Sequence, residues 1–225
     1  WAVGGVSIKP FASGTVTTYQ QGDANGYSST VDTFVDGGNV TTDNSANVDL
    51  QVDLDDLAGD ETTQTLIRFD NIFGIGAGQI PTGATINSAS LTVNVNNISD
   101  PGATISLNRM LTGWVDTDTW TSTTNGISTN DIEASSSADS VLANPDSSGA
   151  VTFTGLASRI QSWLDGASTN FGWVVVSDST NGWDFDSSEH ATLSQRPQLI
   201  VNYTAPTDPE VTLPGAVFSY TENDP

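Results

Sequence analysis

Not one cysteine occurs among the 225 residues of this chain. No disulfide can hold it, so its stability must come from a packed core and from any metal its acidic groups capture. Cations are almost as scarce, with Lys and Arg totalling 5 against 27 Asp and Glu for a formal charge of −22. Phosphate binding needs clustered cations to release counterions, which excludes nucleic acid as a partner. Anionic membranes are disfavoured for the same reason. The single histidine, His190, comes with no Gly-x-Ser-x-Gly turn, so the parts of a nucleophilic triad are missing. A glycosidase needs only two carboxylates facing each other across a cleft, and that requirement stays open here. No apolar run approaches the length of a membrane span, and no charged-then-apolar leader opens the chain. A start at Trp1 rather than Met is expected of a processed chain or of a piece of a longer one.

What the chain does contain is a series of short alternating runs. In Gln198 to Tyr203, Leu199, Val201 and Tyr203 fall on one side and Gln198, Ile200 and Asn202 on the other, with Pro197 tolerated at the strand's start. Val48 to Leu54 alternates in the same way, placing Val48, Leu50, Val52 and Leu54 on one face. Val31 to Val35, Thr65 to Phe69, Ser90 to Val95 and Thr104 to Met110 continue the series between turn clusters such as Pro81-Thr82-Gly83. The continuous apolar run Phe171 to Val176 predicts a strand buried on both faces. One helix is predicted over Gly155 to Asp165, with Thr154 as N-cap, Gly166 just past the end and Trp163 plugging one end of the fold. Strands between turns with a single helix predict an all-β antiparallel sandwich.

Residues 1–30, rich in Gly, Ser, Thr and Tyr, read as an N-terminal extension, 31–204 as the sandwich domain and 205–225 as a linker and C-terminal strand. Trp1, Val3, Val6 and Ile8 before the domain, and Val211, Leu213, Val217 and Phe218 after it, have strand character without an evident sheet. Exchange of such strands between copies would give a jointed homopolymer, an extracellular filament, as the alternative function. The other outcome is that both ends fold back on their own domain or begin the next one.

Three sets of residues invite chemistry. Arg68, flanked by apolar residues, needs a carboxylate partner if buried, and Glu189 is the expected one; an anionic ligand is the alternative. Asp32, Asp36, Asn39, Asp43 and Asn44 around a Gly-rich turn, then Asp53, Asp55 and Asp56, then Asp184, Asp186 and Glu189, offer oxygen ligands for Ca²⁺, none in EF-hand spacing. A solvated acidic face is the plainer reading of any one cluster. Trp120 or Trp183, with Asp116, Asp118 or Asp184, would form a stacking platform with hydroxyl-binding carboxylates for a glycan, unless these tryptophans cap the core as Trp114 is expected to do.

The order of LIRFD (Leu66 to Asp70), IPTGATINSASLTVNV (Ile80 to Val95), GW and TW (Gly113-Trp114, Thr119-Trp120), LASRIQSWLDG (Leu156 to Gly166), FDSSE (Phe185 to Glu189) and RPQLIVNY resembles the DNRLRE-type domains, which are similar to family-96 carbohydrate-binding modules. A polar insert over Thr121 to Ser148 departs from that pattern. The resemblance implies a jelly-roll-like sandwich that is not an enzyme, is secreted or at the cell surface, and binds polysaccharide or extracellular matrix. The last segment resembles the opening of a cadherin-like repeat, which implies a longer multidomain parent.

Overall fold

The structure, a computed structural model, describes residues 14–54, 62–98, 104–143, 147–178 and 182–206. The expected terminal strands and Asp55 and Asp56 lie outside the described residues. Within them the chain runs β1 (Thr15–Gln20), β2 (Thr30–Asp36), β3 (Asp49–Val52), β4 (Thr63–Phe69), β5 (Thr85–Asn97), β6 (Thr104–Met110), β7 (Ala134–Ala143), β8 (Gly149–Phe153), α1 (Ala157–Leu164), β9 (Trp173–Ser177), β10 (Trp183–Asp186) and β11 (Gln198–Thr204). The strands form two antiparallel sheets: β1-β11-β5-β10-β3 with β8 also on β5, and β2-β4-β9-β6-β7. This is the expected all-β sandwich.

β5 organises the first sheet. Leu91 pairs with both Leu199 of β11 and Phe153 of β8, and Val95 with both Phe185 of β10 and Gly149 of β8. A strand has only two edges, so β10 and β11 must lie end to end along the edge opposite β8. The 187–197 loop therefore leaves the sheet at a break in one continuous line of strand. Opposite Asn202 and Tyr203 the register on β5 jumps from Ser88 to Ile86. That extra residue, Asn87, shifts the phase of the alternation, so Ile86 turns inward together with Ala89, Leu91, Val93 and Val95.

The inner faces meet in a core that includes Leu91, Val95, Phe153, Phe185, Leu199 and Val201 from one sheet and Phe34, Ile67, Phe69, Leu107, Trp173 and Val175 from the other. In β3 only Leu50 and Val52 enter it. Val48 and Leu54, expected on the same face, are about half exposed because the strand is four residues long and pairs with β10 only from Asp49 to Val52. β9 is buried on both faces, as its apolar run predicts: Trp173 and Val175 face the main core, while Val174 joins a second cluster with Val35, Leu66, Met110, Trp114, Ile127 and Ala134. The second cluster is covered by the segment that leads into the insert and by the insert's first residues. Residues 111–133 lie over the outer face of the second sheet, pinned where the Gln64 side-chain amide donates to Ile127 O (2.9 Å) and accepts from Ile127 N–H (2.7 Å). The rest of the insert is largely β7.

Two expectations about boundaries change. β1, placed by its sequence in the N-terminal extension, pairs with β11 from Thr15↔Tyr203 to Gln20↔Gln198 and buries Tyr19, so the sandwich begins at least at Thr15. The helix starts later than expected, with Leu156 rather than Thr154 at its N-cap and no side-chain cap. Its end is as expected: Gly166 (φ +69°) follows Asp165, and the amides of Gly166 and Ala167 return to Trp163 O and Ser162 O, a Schellman closure. Trp163 packs on Trp173 with ring centroids 4.6 Å apart. Beside them Arg159 grips Asp139 through two bonds of 2.8 and 2.9 Å, and Trp173 Nε1 donates to the same carboxylate at 2.9 Å. Ile160, Trp163 and Leu164 are the helix's buried residues, as its amphipathic spacing requires.

Candidate functional site

Arg68 does not reach Glu189. Its guanidinium makes a bidentate pair with Asp70, Nε to Oδ1 at 2.7 Å and NH2 to Oδ2 at 3.1 Å. NH1 donates to Trp114 O, and the cation lies 4.8 Å from the Trp114 ring centroid. The reason is local: residues i and i+2 at a strand's end project to the same side, so the partner came from the next turn rather than from the far end of the chain. Trp114 is buried and seals the second cluster, with its Nε1 donating to Phe171 O at 2.7 Å, as expected of a core cap.

The expected glycan residues separate into two places. Trp120, Asp116 and Asp118 sit in the segment between β6 and the insert. Trp120 is half-buried and backs onto Gly126, where φ is +85° and a Cβ would come within 2.6 Å of the ring. Asp118 is occupied with its own loop, accepting from Val115 N–H (2.9 Å) and Ser122 Oγ (2.8 Å). Asp116 is exposed. Trp183 is a correction: it is 2% exposed, facing the core from β10, so its ring has no free face for a sugar.

The expected calcium residues also divide. Asp32 is 3% exposed on the inner side of β2. It accepts Ser188 N–H at 3.0 Å and lies beside Glu189, and burial followed by Glu189's charge pushes its carboxyl well above the usual range. Such a group is a poor free ligand and serves as an anchor for the 187–197 loop. Arg196 holds the other end of that loop, donating to His190 O (2.6 Å) and Gln21 O (2.8 Å). Asp36 closes its own turn, taking Gly38 and Asn39 amides on Oδ1 and Asn39 Nδ2 on Oδ2. Asp43 does the same for Ser45, and those bonds hold its carboxyl below the usual range. Asn44 is buried and donates to Phe34 O.

The outer face of the first sheet gathers Asp184 and Asp186 with amides and a carboxylate that no reading of the sequence had singled out. Asp186, 2% exposed, accepts from Asn94 (2.6 Å) and Asn96 (2.8 Å); Asn96 also donates to Asp49, and Asn97 to Asp184 (3.1 Å). Burial is the leading cause that raises the Asp184 carboxyl. His190 Nε2 is 3.9 Å from Asp186 Oδ1. At the end of this ladder is a depression of about 340 Å³ lined among others by Asp36, Gln51, Asp53, Asn97 and Asp184. It unites residues from the glycan set and the calcium set. Among the described residues no three His, Asp or Glu side chains converge closely enough to hold an ion by themselves. A ligand there would have to be completed by amide or main-chain oxygens or by water.

A second and larger depression, about 720 Å³, borders β1 and includes Tyr19, Tyr27 and Tyr203 in its walls. No reading of the sequence pointed to it, because its walls come from four stretches far apart in the chain: residues 15–19, residues 25–29, Asn71 with residues 76–79, and Tyr203. Among the described residues no helix is long and apolar enough to cross a membrane.

The model of carbohydrate-binding module family 96 matches residues 24–203, from the turn before β2 to the penultimate residue of β11. The chain belongs to this family. No curated protein matches it. The module's matched span contains both sheets except β1, so β1 and its cleft wall lie outside the matched segment.

Proposed function

We propose that this chain is a non-catalytic module of a secreted or cell-surface protein and that it holds polysaccharide, leaving any catalysis to other domains of its parent. The observation that carries this reading is the match to a carbohydrate-binding-module family over residues 24–203, which takes in ten of the sandwich's strands rather than one motif. The chemistry of the surface supports it. Amides, hydroxyls and carboxylates held in place by strands and tight turns are the groups that recognise sugar hydroxyls. The most buried acids, Asp32 and Asp186, are engaged in holding loop and strand amides, which suits a scaffold role. Calcium enters the reading at the 340 Å³ depression, where Asp36, Asp53 and Asp184 with the oxygens of Gln51 and Asn97 offer the hard ligands that this ion takes.

Affinity electrophoresis against a panel of neutral and acidic polysaccharides, with Ca²⁺ present, tests the function. Retardation by at least one polysaccharide is the expected outcome; uniform migration across the panel would sink the reading.

A further inference from the structure

We propose that the outer edge of β1 is an acceptor for an extended strand and that residues 216–220 of a second copy of this chain fill it. β1 ends the first sheet, paired with β11 alone and in unbroken register from Thr15 to Gln20. Among the described residues no main-chain group of residues 15–19 bonds outside that pairing; only Gln20 O, at the strand's end, takes Asp23 N–H at 3.0 Å. β3, β2 and β7, at the other sheet ends, are guarded. The far side of β3 is tied to β4 through the Asp53–Thr63 bridge, two main-chain bonds of 3.0 Å, and through Thr65 Oγ1 to Gln51 O at 2.9 Å. On β2 the Phe34 carbonyl accepts from Asn44 Nδ2, and β7 shifts register twice against β6, an irregularity that hinders further pairing. β1 has no such device, and its six residues include no charge, proline or glycine. An edge so bare is a template for one more strand.

The space for that strand is already present. The depression of about 720 Å³ runs along residues 15–19, walled by residues 25–29 and 76–79 and by Tyr203, and no residue of its lining is charged. The Tyr19 hydroxyl lies 3.0 Å from Ile72 O and 2.9 Å from Gly78 O, and that of Tyr27 donates to Asp70 O at 3.0 Å, so the walls are ordered before anything enters. Val16 in the lining is 61% exposed, and Ile75, next to the lining Gly76, is fully exposed. Apolar side chains left open beside an edge are what an incoming strand covers. The occupant follows from the sequence. Ala216-Val217-Phe218-Ser219-Tyr220 is uncharged, equals the lining stretch of β1 in length, and by period two sets Phe218 and Tyr220 on one side. Two chains of net −22 repel, so copies can meet closely only where charge is absent. A second copy supplies the strand because β11 ends opposite Thr15, the start of β1. The chain's own segment, arriving at that end, would lie parallel to β1 in a sheet whose pairs are all antiparallel. To run antiparallel it would first have to travel back along β1, about 20 Å, on a tether that Pro209 and Pro214 stiffen. A second copy can approach in either direction. β1 and residues 216–220 both fall outside the span 24–203 that the family model matches. The contact is head-to-tail and does not close, so copies that use it line up in a row.

Light scattering of the full chain from about 1 to 100 µM, at low salt and in about 0.5 M NaCl, tests the contact on wild type and on two kinds of variant. Ser28→Trp fills the acceptor, and Val16→Glu, at an exposed position of the edge, is a second acceptor variant should the first fail to fold. Val217→Asp combined with Phe218→Asp charges the donor. Unfolding midpoints confirm that each folds. The expected result is a wild-type mass that climbs with concentration and climbs further in salt, which screens the repulsion between copies, while each variant alone associates about tenfold or more weakly. Mixed in equal amounts, an acceptor variant and the donor variant should form a complex of two chains and nothing larger, because one brings an intact donor and the other an intact acceptor. Wild type that stays monomeric throughout would overturn the proposal. So would association that survives the donor substitutions, which would give the edge to β1 of the second copy, or association that the acceptor variants leave intact, which would place the acceptor elsewhere. Variants that fail to pair when mixed would overturn it as well.

Discussion

Asp32 is the residue where burial and function conflict most. Its carboxyl is enclosed on β2, takes one main-chain amide from Ser188, and sits beside the exposed Glu189. Burial is the larger cause of its raised pKa and Glu189 the next. The folded state therefore keeps this proton to higher pH than the unfolded chain does. Its contribution to stability is complete below the unfolded value and is lost as pH rises through the folded one. Asp32→Asn retains an acceptor for Ser188 N–H and adds no charge, so it should raise stability at pH 7 by about 1 kcal/mol, with the gain shrinking toward about pH 4. Urea unfolding of the two proteins across that range measures it. A constant difference at every pH would mean that Asp32 is ionised in the fold and that the loop is held in another way. Asp43 and Asp131, at exposed turns, act in the opposite sense: amide donors from Ser45 and Ser136 lower their carboxyls, and that support fades on acidification.

Among the elements, β4 depends most on a single side chain. Arg68 joins the end of β4 to the turn at Asp70 and, through Trp114, to the 111–133 segment that covers the second cluster. Removing it leaves Asp70 without its partner and Trp114 O without its donor. Arg68→Ala should therefore lower stability by about 2–4 kcal/mol, read from the denaturant midpoint. Glu189→Ala should leave stability unchanged or slightly higher, since it takes a like charge away from Asp32. Equal losses in the two variants would restore the pairing of Arg68 with Glu189. The helix carries a comparable pair, Arg159 with Asp139, and like the strand ladder it also buries apolar surface directly through Ile160, Trp163, Leu91 and Val95.

For the whole molecule the dominant fact is charge. A net −22 on a sandwich without disulfides favours any ligand that neutralises the surface of the folded state. If calcium bridges the depression at Asp36, Asp53 and Asp184, about 1 mM Ca²⁺ should raise the unfolding midpoint by a few degrees over a chelated sample, by mass action on the native state alone. Matched ionic strength of NaCl separates site binding from screening, since a monovalent salt only shortens the Debye length. Equal shifts in both salts, or none in Ca²⁺, would leave the depression without an ion.

Strands whose alternation is local are legible in the chain alone. Leu199, Val201 and Tyr203 point inward because period two and burial agree, and Trp173 to Val175 vanish into two cores because no polar residue interrupts them. Gly166 stops the helix through its backbone freedom, which also needs no distant partner. The order of weak motifs was not needed for these, and was enough to suggest the family. The meetings of residues far apart in the chain are fixed by the fold. Arg68 had several acids within reach by composition, and geometry chose Asp70. Trp183 sat beside polar residues in sequence, yet the pairing of β10 between β5 and β3 turned its ring to the core. β1 read as an arm because Thr, Val and Tyr carry little pattern over six residues; it became a strand because β11 offered an open edge with Tyr203 opposite Thr15. The larger depression beside it exists in no single segment. Hydrophobic periodicity is written along the chain, but which polar groups share a cavity depends on strand order and register, and those are settled only when the sheets close.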